Sequence, residues 1–419
     1  MKKIVIEGGH SLSGTIEING AKNSAVALLP ASVLCDETSK IYNVPNISDK
    51  DVLIKILEVL NCKVTSTNDL VEVDASELEN KKIPLELSKK MRASYYFMGA
   101  LLSKFKHVEI YFPGGCNIGK RPIDMHIRGF EALGAKVVTK GDLYIIDAED
   151  LTGAKITLDF ASVGATINIM LAAVKAKGKT TINNAAKEAE IVNVATFLNN
   201  MGANIVGAGT STITITGVDY LHKAIIETIP DRIEAGTYII LGAMIGDKLE
   251  IKNIIPEHIG ALLSKLTEMK IPYELNPNSV VISKAENIKP TNIKTAVFPG
   301  FVTDMGQPMM VLLTQANGVS MFEETIYENR MGHVKHLVNM GANIKNGNTN
   351  AVVIGPTKLY GCDVEATDLR GGAAMVLAGL IADGTTKISS IEHILRGYDS
   401  IVEKLQNVGA KISVIEEEE

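Results

Sequence analysis

The sequence Met201-Gly202-Ala203-Asn204-Ile205 ends an amphipathic segment and recurs along the chain at a regular spacing. The close copies are Leu133-Gly134-Ala135-Lys136-Val137, Met340-Gly341-Ala342-Asn343-Ile344 and Val408-Gly409-Ala410-Lys411-Ile412, and the degenerate ones are Leu60-Asn61-Cys62-Lys63-Val64 and Met269-Lys270-Ile271-Pro272-Tyr273. Their second residues lie at positions 61, 134, 202, 270, 341 and 409, so the spacings are 73, 68, 68, 71 and 68 residues. Six repeats of about 70 residues therefore account for the whole chain.

Each repeat also contains a helix of small and apolar residues that leads into a short strand. These helices are predicted at residues 25–34, 93–102, 165–174, 235–244, 309–315 and 372–381. A helix that is apolar on every side belongs inside a domain, whereas the helix before each Gly-Ala carries polar positions and should lie outside. Glycine is a typical helix stop, and the Val or Ile that follows begins a strand. The predicted order within a repeat is strand, buried helix, strand, outer helix, strands.

Six such repeats are too many for one hydrophobic core. The sequence therefore predicts an α/β protein with two domains of three repeats each, in which sheets enclose helices with pseudo-threefold symmetry. The repeat pattern alone leaves open whether the repeats close into two globules or stack as a solenoid.

Composition excludes several classes of protein. The chain has 419 residues, 46% of them hydrophobic, a net charge of −6 and a pI near 5.9, which argues against a nucleic-acid surface. Cys35, Cys62, Cys116 and Cys362 lack the spacing of zinc ligands or of a disulfide framework, so we expect reduced thiols and a cytoplasmic protein. The longest weakly polar run, residues 371–382, is too short to span a bilayer, and we expect no membrane insertion.

A lone cysteine in residues 111–128, YFPGGCNIGKRPIDMHIR, is the first candidate for chemistry. Proline and glycine disfavour regular structure around Cys116, so this residue is predicted to lie on a mobile lid. Lys120 and Arg121 should lower the pKa of the thiol, which could then donate or accept a proton near neutral pH. The alternative is an ordinary buried cysteine.

Charged or amide side chains stand at the start of most of the buried helices. They are Lys22 with Asn23, Arg92, Arg232, Asp304, and Asp368 with Arg370. Because helix N-termini attract anions, this placement predicts an anion-binding cleft, although a solvated cap or salt bridge would explain any single residue. His126 and His333 lack partners at ligand spacing and are predicted to make structural or polar contacts, so neither a metal nor a cofactor is expected.

Several motifs together resemble those of the UDP-N-acetylglucosamine 1-carboxyvinyltransferases, a family of enolpyruvyl transferases. The motifs are Ala21-Lys22-Asn23-Ser24-Ala25, Met91-Arg92-Ala93-Ser94, Pro113-Gly114-Gly115-Cys116-Asn117-Ile118-Gly119-Lys120-Arg121-Pro122, Ser162-Val163-Gly164-Ala165-Thr166, Thr303-Asp304-Met305-Gly306, Glu328-Asn329-Arg330, Asp368-Leu369-Arg370-Gly371-Gly372 and Leu395-Arg396-Gly397-Tyr398. The resemblance extends from Lys2 to Ile415. It implies an inside-out α/β barrel with one domain at residues 22–229, including the Cys116 lid, and a second formed by residues 1–21 and 230–419.

The resemblance also implies a reaction and its residues. Enolpyruvate passes from phosphoenolpyruvate to the 3′-hydroxyl of UDP-N-acetylglucosamine with release of phosphate. The implied catalytic residues are Cys116 as proton donor, Asp304 as base, with Asp368 as a second participant, and Lys22 and Arg396. A covalent pyruvate-type adduct at Cys116 is compatible with this chemistry. The implied phosphate ligands are Lys22, Arg121 and Arg396; the carboxylate ligands are Arg330 and Arg370; the nucleotide-sugar contacts are Asn23, Arg92, Arg121, Pro122, Ile123, Asp124, Met125, Ser162, Val163, Gly164, Asp304 and Ile326.

One residue departs from the family pattern, and the last four residues lie beyond the resemblance. Phe160 stands where some relatives have lysine, so a stacking contact could replace a cation in uridine recognition. Residues 416–419 form an acidic run that predicts a solvated, disordered tail.

Three alternatives remain: the sister enzyme that acts on shikimate 3-phosphate, a non-catalytic nucleotide-sugar sensor, and a repeat scaffold for protein interaction. The Cys-bearing loop, the retained Asp304 and Arg396, and the cations at helix starts argue against these in turn.

Overall fold

A computed structural model describes residues 2–114 and 122–417 of the chain. Cys116, Lys120 and Arg121 lie outside the described residues, and so does the lid prediction that depends on them. The α-helices are α1 (Lys22–Ala31), α2 (Ser48–Val59), α3 (Leu85–Lys90), α4 (Tyr96–Phe105), α5 (Asp124–Ala132), α6 (Val163–Ala173), α7 (Ala189–Asn200), α8 (Arg232–Ile245), α9 (Gly260–Glu268), α10 (Gly306–Leu313), α11 (Val334–Asn339), α12 (Leu369–Ile381), α13 (Glu392–Leu395) and α14 (Ile401–Asn407).

Short 3-10 helices precede or follow several of these elements, and the strands fill the segments between them. The 3-10 helices are Ser32–Leu34, Arg92–Tyr95, Pro256–Ile259 and Thr303–Met305. The strands are β1 (Lys2–Glu7), β2 (Leu12–Glu17), β3 (Thr38–Tyr42), β4 (Lys63–Thr67), β5 (Leu70–Asp74), β6 (His107–Tyr111), β7 (Lys136–Lys140), β8 (Leu143–Asp147), β9 (Lys155–Thr157), β10 (Lys179–Asn183), β11 (Asn204–Val206), β12 (Thr212–Thr216), β13 (Ile225–Glu227), β14 (Gly246–Lys252), β15 (Tyr273–Leu275), β16 (Ser279–Ile282), β17 (Ile293–Lys294), β18 (Gly318–Glu323), β19 (Asn343–Asn346), β20 (Asn350–Gly355), β21 (Asp363–Glu365), β22 (Thr385–Ser389) and β23 (Lys411–Glu416).

The described chain divides into two compact units, one within residues 20–229 and one formed by residues 2–19 and 230–417. Each unit has its own hydrophobic core and contains three of the six repeats. The predicted α/β fold class is thereby confirmed, and the repeats close into globules rather than a solenoid. Whether each unit folds as an independent domain with the predicted boundaries stays a prediction.

The buried helices of the repeats are α1, α4 and α6 in one unit and α8, α10 and α12 in the other. Within α12, every residue from Arg370 to Leu380 is buried, and α8 is buried from Arg232 to Met244. Small residues allow this, because they let neighbouring helices and the surrounding sheets pack against every side of the helix. The predicted central position of these helices is confirmed.

The outer helices end as the repeat motif predicts. The second motif residue follows each helix and has a positive φ: Asn61 (67°), Gly134 (101°), Gly202 (101°), Lys270 (60°), Gly341 (108°) and Gly409 (102°). Glycine adopts this left-handed conformation without a Cβ penalty, and the chain then leaves the helix to enter a strand. The four helix stops predicted at glycine are therefore confirmed, and Asn61 and Lys270 end their helices with the same left-handed conformation.

Sheets surround the buried helices, and their strands come mostly from a single repeat. The strand orders are β9-β10-β12-β11, β13-β3-β5-β4, β2-β14-β16-β15, β17-β18-β20-β19, β21-β22-β1-β23 and β6-β8-β7. In five of the sheets a strand that precedes a buried helix pairs in parallel with the strand that follows a buried helix, and antiparallel strands complete the sheet.

The N-terminal segment contributes to sheets of the unit that contains residues 230–417. Strand β1 lies antiparallel between β22 and β23, with Ile4 opposite Ile388 and Val414. Strand β2 pairs in parallel with β14, so Ile16 faces Ile251 in the ladder. The beginning of the chain therefore supplies strands to repeats that lie more than 200 residues further along the sequence.

Two local predictions need correction. In the second repeat Ile83 forms only an isolated bridge to Ile110 instead of a strand, because Pro84 has no N–H with which to continue the ladder. The acidic end of the chain is not a free tail at Glu416 and Glu417: Glu416 ends β23, and Glu417 forms ion pairs with Lys3 (2.5 Å) and Lys387 (2.8 Å).

Candidate active site

Asp304 and two buried arginines form an ionic cluster in the unit that contains residues 230–417. Asp304 lies in the 3-10 helix that leads into α10, Arg330 follows β18, and Arg370 lies in the first turn of α12. Asp304 Oδ1 accepts from Arg330 Nη2 at 2.8 Å, and its Oδ2 accepts from Arg370 Nη2 at 3.2 Å and Nε at 3.3 Å. The Arg330 and Arg370 side chains are only 5% and 2% exposed, so both charges are held in a largely dry environment.

The cluster keeps Asp304 ionised. Burial alone would raise the pKa of this carboxyl group, but the guanidinium groups of Arg330 and Arg370 hold the pKa well below its usual range. Asp304 is therefore an acceptor for hydrogen bonds at every pH at which the protein is expected to work.

Each arginine also has a buried nitrogen for which the described residues provide no hydrogen-bond acceptor. Nε of Arg330 and Nη1 of Arg370 are buried and have no hydrogen-bond partner within residues 2–114 and 122–417. A buried N–H without an acceptor is costly, and on a guanidinium it is suited to an anion. The cluster is thus better matched to a bound carboxylate than to a purely structural ion pair.

Asp368, next to this cluster, stabilises the start of α12. Its Oδ1 caps α12 by accepting from the backbone N–H groups of Arg370 (3.0 Å) and Gly371 (3.1 Å), and its Oδ2 accepts from the Gln307 amide at 2.9 Å. Burial raises its pKa, but Arg330 and these donors outweigh burial and lower it. The carboxylate that was predicted as a second catalytic participant therefore holds the helix that carries Arg370.

The remaining predicted residues of this unit lie on loops at the edge of the same elements. Arg396 is half-buried at the end of α13, and Ile326 is half-buried in the turn between β18 and Arg330. Tyr398, two residues after Arg396, packs its ring 5.3 Å from the Arg370 guanidinium. The predicted residues Asp304, Arg330, Asp368 and Arg370 come together by direct contact.

In the unit of residues 20–229, Lys22 and Arg92 lie where the sequence predicts, at the starts of buried helices. Lys22 begins α1 and forms an ion pair with Asp49 at 3.0 Å, and both side chains are mostly buried. Arg92 begins the 3-10 helix before α4, and its guanidinium lies 5.8 Å from the Tyr95 ring. Asn23 is half-buried in the first turn of α1.

The start of α6 offers backbone donors beside polar side chains. Ser162 caps this helix by accepting from Ala165 N–H at 3.2 Å, and Val163 and Gly164 form its first turn. A Cβ on Gly164 would lie 2.5 Å from the Tyr95 hydroxyl and 3.1 Å from the His126 ring, so only glycine fits there. Phe160, just before this turn, is exposed, which leaves its ring available for stacking.

The start of α5 contains the predicted run that follows Arg121. Pro122 and Asp124 are exposed, and Ile123 and Met125 are buried. Asp124 pairs with Arg128 at 3.3 Å on the helix surface. Only the exposed residues of this run present side chains to a ligand.

His126 anchors a buried network that sequence reasoning treated as an ordinary polar contact. The Asn168 amide donates to the His126 Nδ1 at 3.0 Å and to the Tyr95 carbonyl at 2.9 Å, while its oxygen accepts from Gly99 N–H. Burial, with a smaller effect from Arg92, lowers the pKa of His126 to about 3. The imidazole is therefore neutral and positions α6 against α4.

This neutral histidine predicts a pH dependence of stability. The unfolded chain takes up a proton on His126 below about pH 6.5, whereas the folded chain does not until about pH 3, so the stabilisation is complete above pH 6.5 and declines as the pH falls. We expect the difference in unfolding free energy between the wild type and His126→Gln to shrink by about 2–3 kcal/mol from pH 7 to pH 4.5. Urea unfolding of both proteins at pH 7 and at pH 4.5 measures this difference in unfolding free energy.

The control is His222→Gln, which alters an exposed histidine and should change stability little at either pH. A difference for His126→Gln that is the same at pH 7 and pH 4.5 would contradict the assignment of a neutral, buried imidazole.

Among residues 2–114 and 122–417, no group of three or more His, Cys, Asp or Glu side chains is arranged to hold a metal ion. Across the same residues, no helix combines the length and apolar character needed to cross a membrane.

Comparison with known proteins defines the class first. A solved structure, the enolpyruvyl transferase NikO from Streptomyces tendae, matches with a TM-score of 0.90 and 25% sequence identity over 99% of both chains. EPSP synthase from Acinetobacter baumannii shares the fold, with a TM-score of 0.76 and 16% identity over 99% of this chain and all of that one. The fold and the arginine cluster thus define a protein of the enolpyruvyl transferase class.

The chain belongs to the family of EPSP synthase (3-phosphoshikimate 1-carboxyvinyltransferase), whose family model matches residues 6–405. Within this family it is similar to UDP-N-acetylglucosamine 1-carboxyvinyltransferase 2 from Listeria monocytogenes, with 52% identity over 98% of this chain and 97% of that protein. It is also similar to the protein of the same name from Bacillus anthracis, with 51% identity over 98% and 96% of the two chains.

Proposed function

We infer that the protein transfers the enolpyruvyl group of phosphoenolpyruvate to the 3′-hydroxyl of UDP-N-acetylglucosamine and releases phosphate, the first committed step of peptidoglycan precursor synthesis. The observation that carries this conclusion is the identity of about half of the residues, over nearly the whole chain, with relatives named for this reaction. The sister reaction on shikimate 3-phosphate is disfavoured, because the solved EPSP synthase is only 16% identical and shares the fold alone.

The arginine cluster supports binding of the small anionic substrate. Phosphoenolpyruvate carries a carboxylate and a phosphate, and planar guanidinium groups bind such groups with paired hydrogen bonds. We assign Arg330 and Arg370 to the carboxylate, because each has a buried donor for which the described residues provide no acceptor. Each charge-assisted hydrogen bond would contribute about 1.5–3 kcal/mol.

Other predicted ligands are assigned to the rest of the two substrates. Lys22, Arg121 and Arg396 are proposed to bind the phosphate. The nucleotide sugar is proposed to use Asn23, Arg92, the residues 121–125, the first turn of α6 from Ser162 to Gly164, Asp304 and Ile326. The N-terminus of α6 favours an anion, since its backbone N–H groups and dipole point toward the diphosphate expected there.

The reaction requires movement of two protons. The sugar hydroxyl loses its proton as its oxygen bonds to C2 of phosphoenolpyruvate, and C3 gains a proton; loss of phosphate and of a C3 proton then restores the double bond. We propose Asp304 as acceptor of the hydroxyl proton and Cys116 as donor to C3. A pyruvate-type adduct on the Cys116 thiol is a further proposal of the same chemistry.

The cellular setting is also a proposal. Three described cysteines, Cys35, Cys62 and Cys362, are free thiols, as expected in a reducing compartment. The cytoplasm fits these thiols and supplies both proposed substrates.

The direct test of the function is phosphate release from phosphoenolpyruvate in the presence of each of two acceptors. We expect release with UDP-N-acetylglucosamine and none with shikimate 3-phosphate, and mass spectrometry should show a product heavier than the nucleotide sugar by one enolpyruvyl group. Phosphate release with shikimate 3-phosphate but not with UDP-N-acetylglucosamine would assign the chain to the sister reaction. No phosphate release with either acceptor would reject transferase activity.

A further inference from the structure

A buried carboxylate outside the predicted site is connected to Arg330 through one hydroxyl group. Glu324 follows β18 directly and is only 4% exposed. Its Oε2 accepts from the Thr303 hydroxyl at 2.7 Å, and Thr303 Oγ1 in turn accepts from Arg330 Nη1 at 2.6 Å. Arg330 continues this chain through Nη2 to Asp304.

The other carboxylate oxygen of Glu324 organises the turn that leads to Arg330. Oε1 accepts from the backbone N–H groups of Ile326 (2.7 Å) and Tyr327 (3.2 Å), and also from the Thr295 hydroxyl at 3.0 Å. The Tyr327 ring lies 5.2 Å from the Arg330 guanidinium. One side chain therefore orders both the turn before Arg330 and the hydroxyl that contacts Arg330.

The chemistry of the four donors requires a carboxylate at this position. A hydroxyl accepts through its lone pairs and has one proton to donate, so Thr303 accepts from Arg330 and gives that proton to the Glu324 carboxylate, which can only accept. An amide would have to turn its NH₂ group either toward Thr303 or toward the two backbone N–H groups and Thr295. In both orientations donors would face donors, and a buried group would lose its partner.

We propose that Glu324, acting through Thr303, is a positioning residue that orients Arg330 for the carboxylate of phosphoenolpyruvate. The inference rests on the proposed function, because it takes the role of Arg330 as substrate ligand from there. With Nη1 bonded to Thr303 and Nη2 to Asp304, Nε of Arg330 is the guanidinium nitrogen that has no partner among the described residues, and we assign it to the substrate. Glu324 itself is buried beneath the arginine and contacts no substrate in this proposal.

The test changes Thr303 and Glu324 separately, because both belong to the same series of hydrogen bonds to Arg330. Thr303→Val removes the hydroxyl with little change of shape, and we expect the KM for phosphoenolpyruvate to rise about ten- to hundredfold while the KM for the nucleotide sugar stays within about twofold. Thr303→Ser restores the hydroxyl and should restore the KM. Glu324→Gln should raise both KM values, because it also disturbs the turn that holds Ile326.

A double variant tests whether both residues act through one chain. If Glu324 works through Thr303, then adding Thr303→Val to Glu324→Gln should raise the KM for phosphoenolpyruvate by less than the product of the two single effects. The matched control is Glu323→Gln, which changes the neighbouring exposed carboxylate that pairs with Lys294 at the surface and should leave both KM values unchanged.

The outcomes separate this inference from the proposed function. A wild type without transfer to UDP-N-acetylglucosamine would reject the function itself. An active wild type with a Thr303→Val variant whose KM for phosphoenolpyruvate is unchanged would overturn the positioning role. If Glu324→Gln fails to fold, Thr303→Val and its rescue by Thr303→Ser still decide the question, since both keep the carboxylate in place.

Discussion

Asp304→Asn should reduce turnover by about three orders of magnitude and should leave phosphoenolpyruvate binding unchanged or tighter. Positioned general bases contribute roughly 10²–10⁴-fold, and an amide cannot take the proton of the sugar hydroxyl. Asp304 also forms ion pairs with Arg330 and Arg370 at 2.8 and 3.2 Å, so in the ligand-free protein it competes with a substrate carboxylate for the same guanidinium groups. Removal of its charge should favour the substrate anion.

Two measurements check this prediction: phosphate release under saturating substrates, and the affinity for phosphoenolpyruvate by titration calorimetry with UDP-N-acetylglucosamine present. Asp383→Asn is the matched control, because Asp383 is an exposed aspartate of the same unit that pairs with Lys358 at the surface. An Asp304→Asn variant with normal turnover would rule out the base. A tenfold weaker affinity for phosphoenolpyruvate would instead indicate that Asp304 mainly holds the two arginines in place.

The features of the fold that could be predicted from the sequence are those set by local interactions. A helix stop depends on a few neighbouring residues, so the Gly-Ala motif predicted the stop at Gly202, which has a positive φ; Asn61, in a degenerate copy, has the same conformation without having been predicted. The small-residue helices were predictable for the same reason, because a helix without a polar side must be enclosed. Strand pairing is not local, and no pattern in β1 indicates that it lies between β22 and β23.

The site was predictable to the extent that its residues stand at helix starts. Asp304, Asp368 and Arg370 carry that signal, and they meet in the structure. Glu324 carries no such signal, because it follows strand β18. Thr303 begins the 3-10 helix before α10, but it is uncharged, and nothing in the sequence indicates that it contacts Arg330. The family resemblance ranks Asp304 ahead of Asp368 as the base, but a position at a helix start does not distinguish the two. In the structure Asp368 caps α12 and Asp304 contacts the arginines.

Cys116→Ser should abolish turnover, whereas Cys116→Asp should retain a measurable part of it. Cys116 lies outside the described residues, so this prediction comes from the sequence, in which Lys120 and Arg121 follow on a glycine-rich segment. A thiol beside cations can deliver a proton near pH 7, and a carboxylic acid with a raised pKa can do the same. A serine hydroxyl is far too weak an acid. Phosphate release by the two variants tests the proton-donor role.

Chemical labelling tests the same residue without substitution. An anionic epoxide such as fosfomycin should be drawn to the cationic surroundings and alkylate the Cys116 thiolate, and intact-protein and peptide mass spectrometry with and without UDP-N-acetylglucosamine would locate the adduct. The other cysteines are internal controls: Cys35 is buried, burial raises the pKa of Cys62 to about 12, and burial also raises the pKa of Cys362. Labelling at any of these three in place of Cys116, or a serine variant as fast as the wild type, would exclude Cys116 as the proton donor.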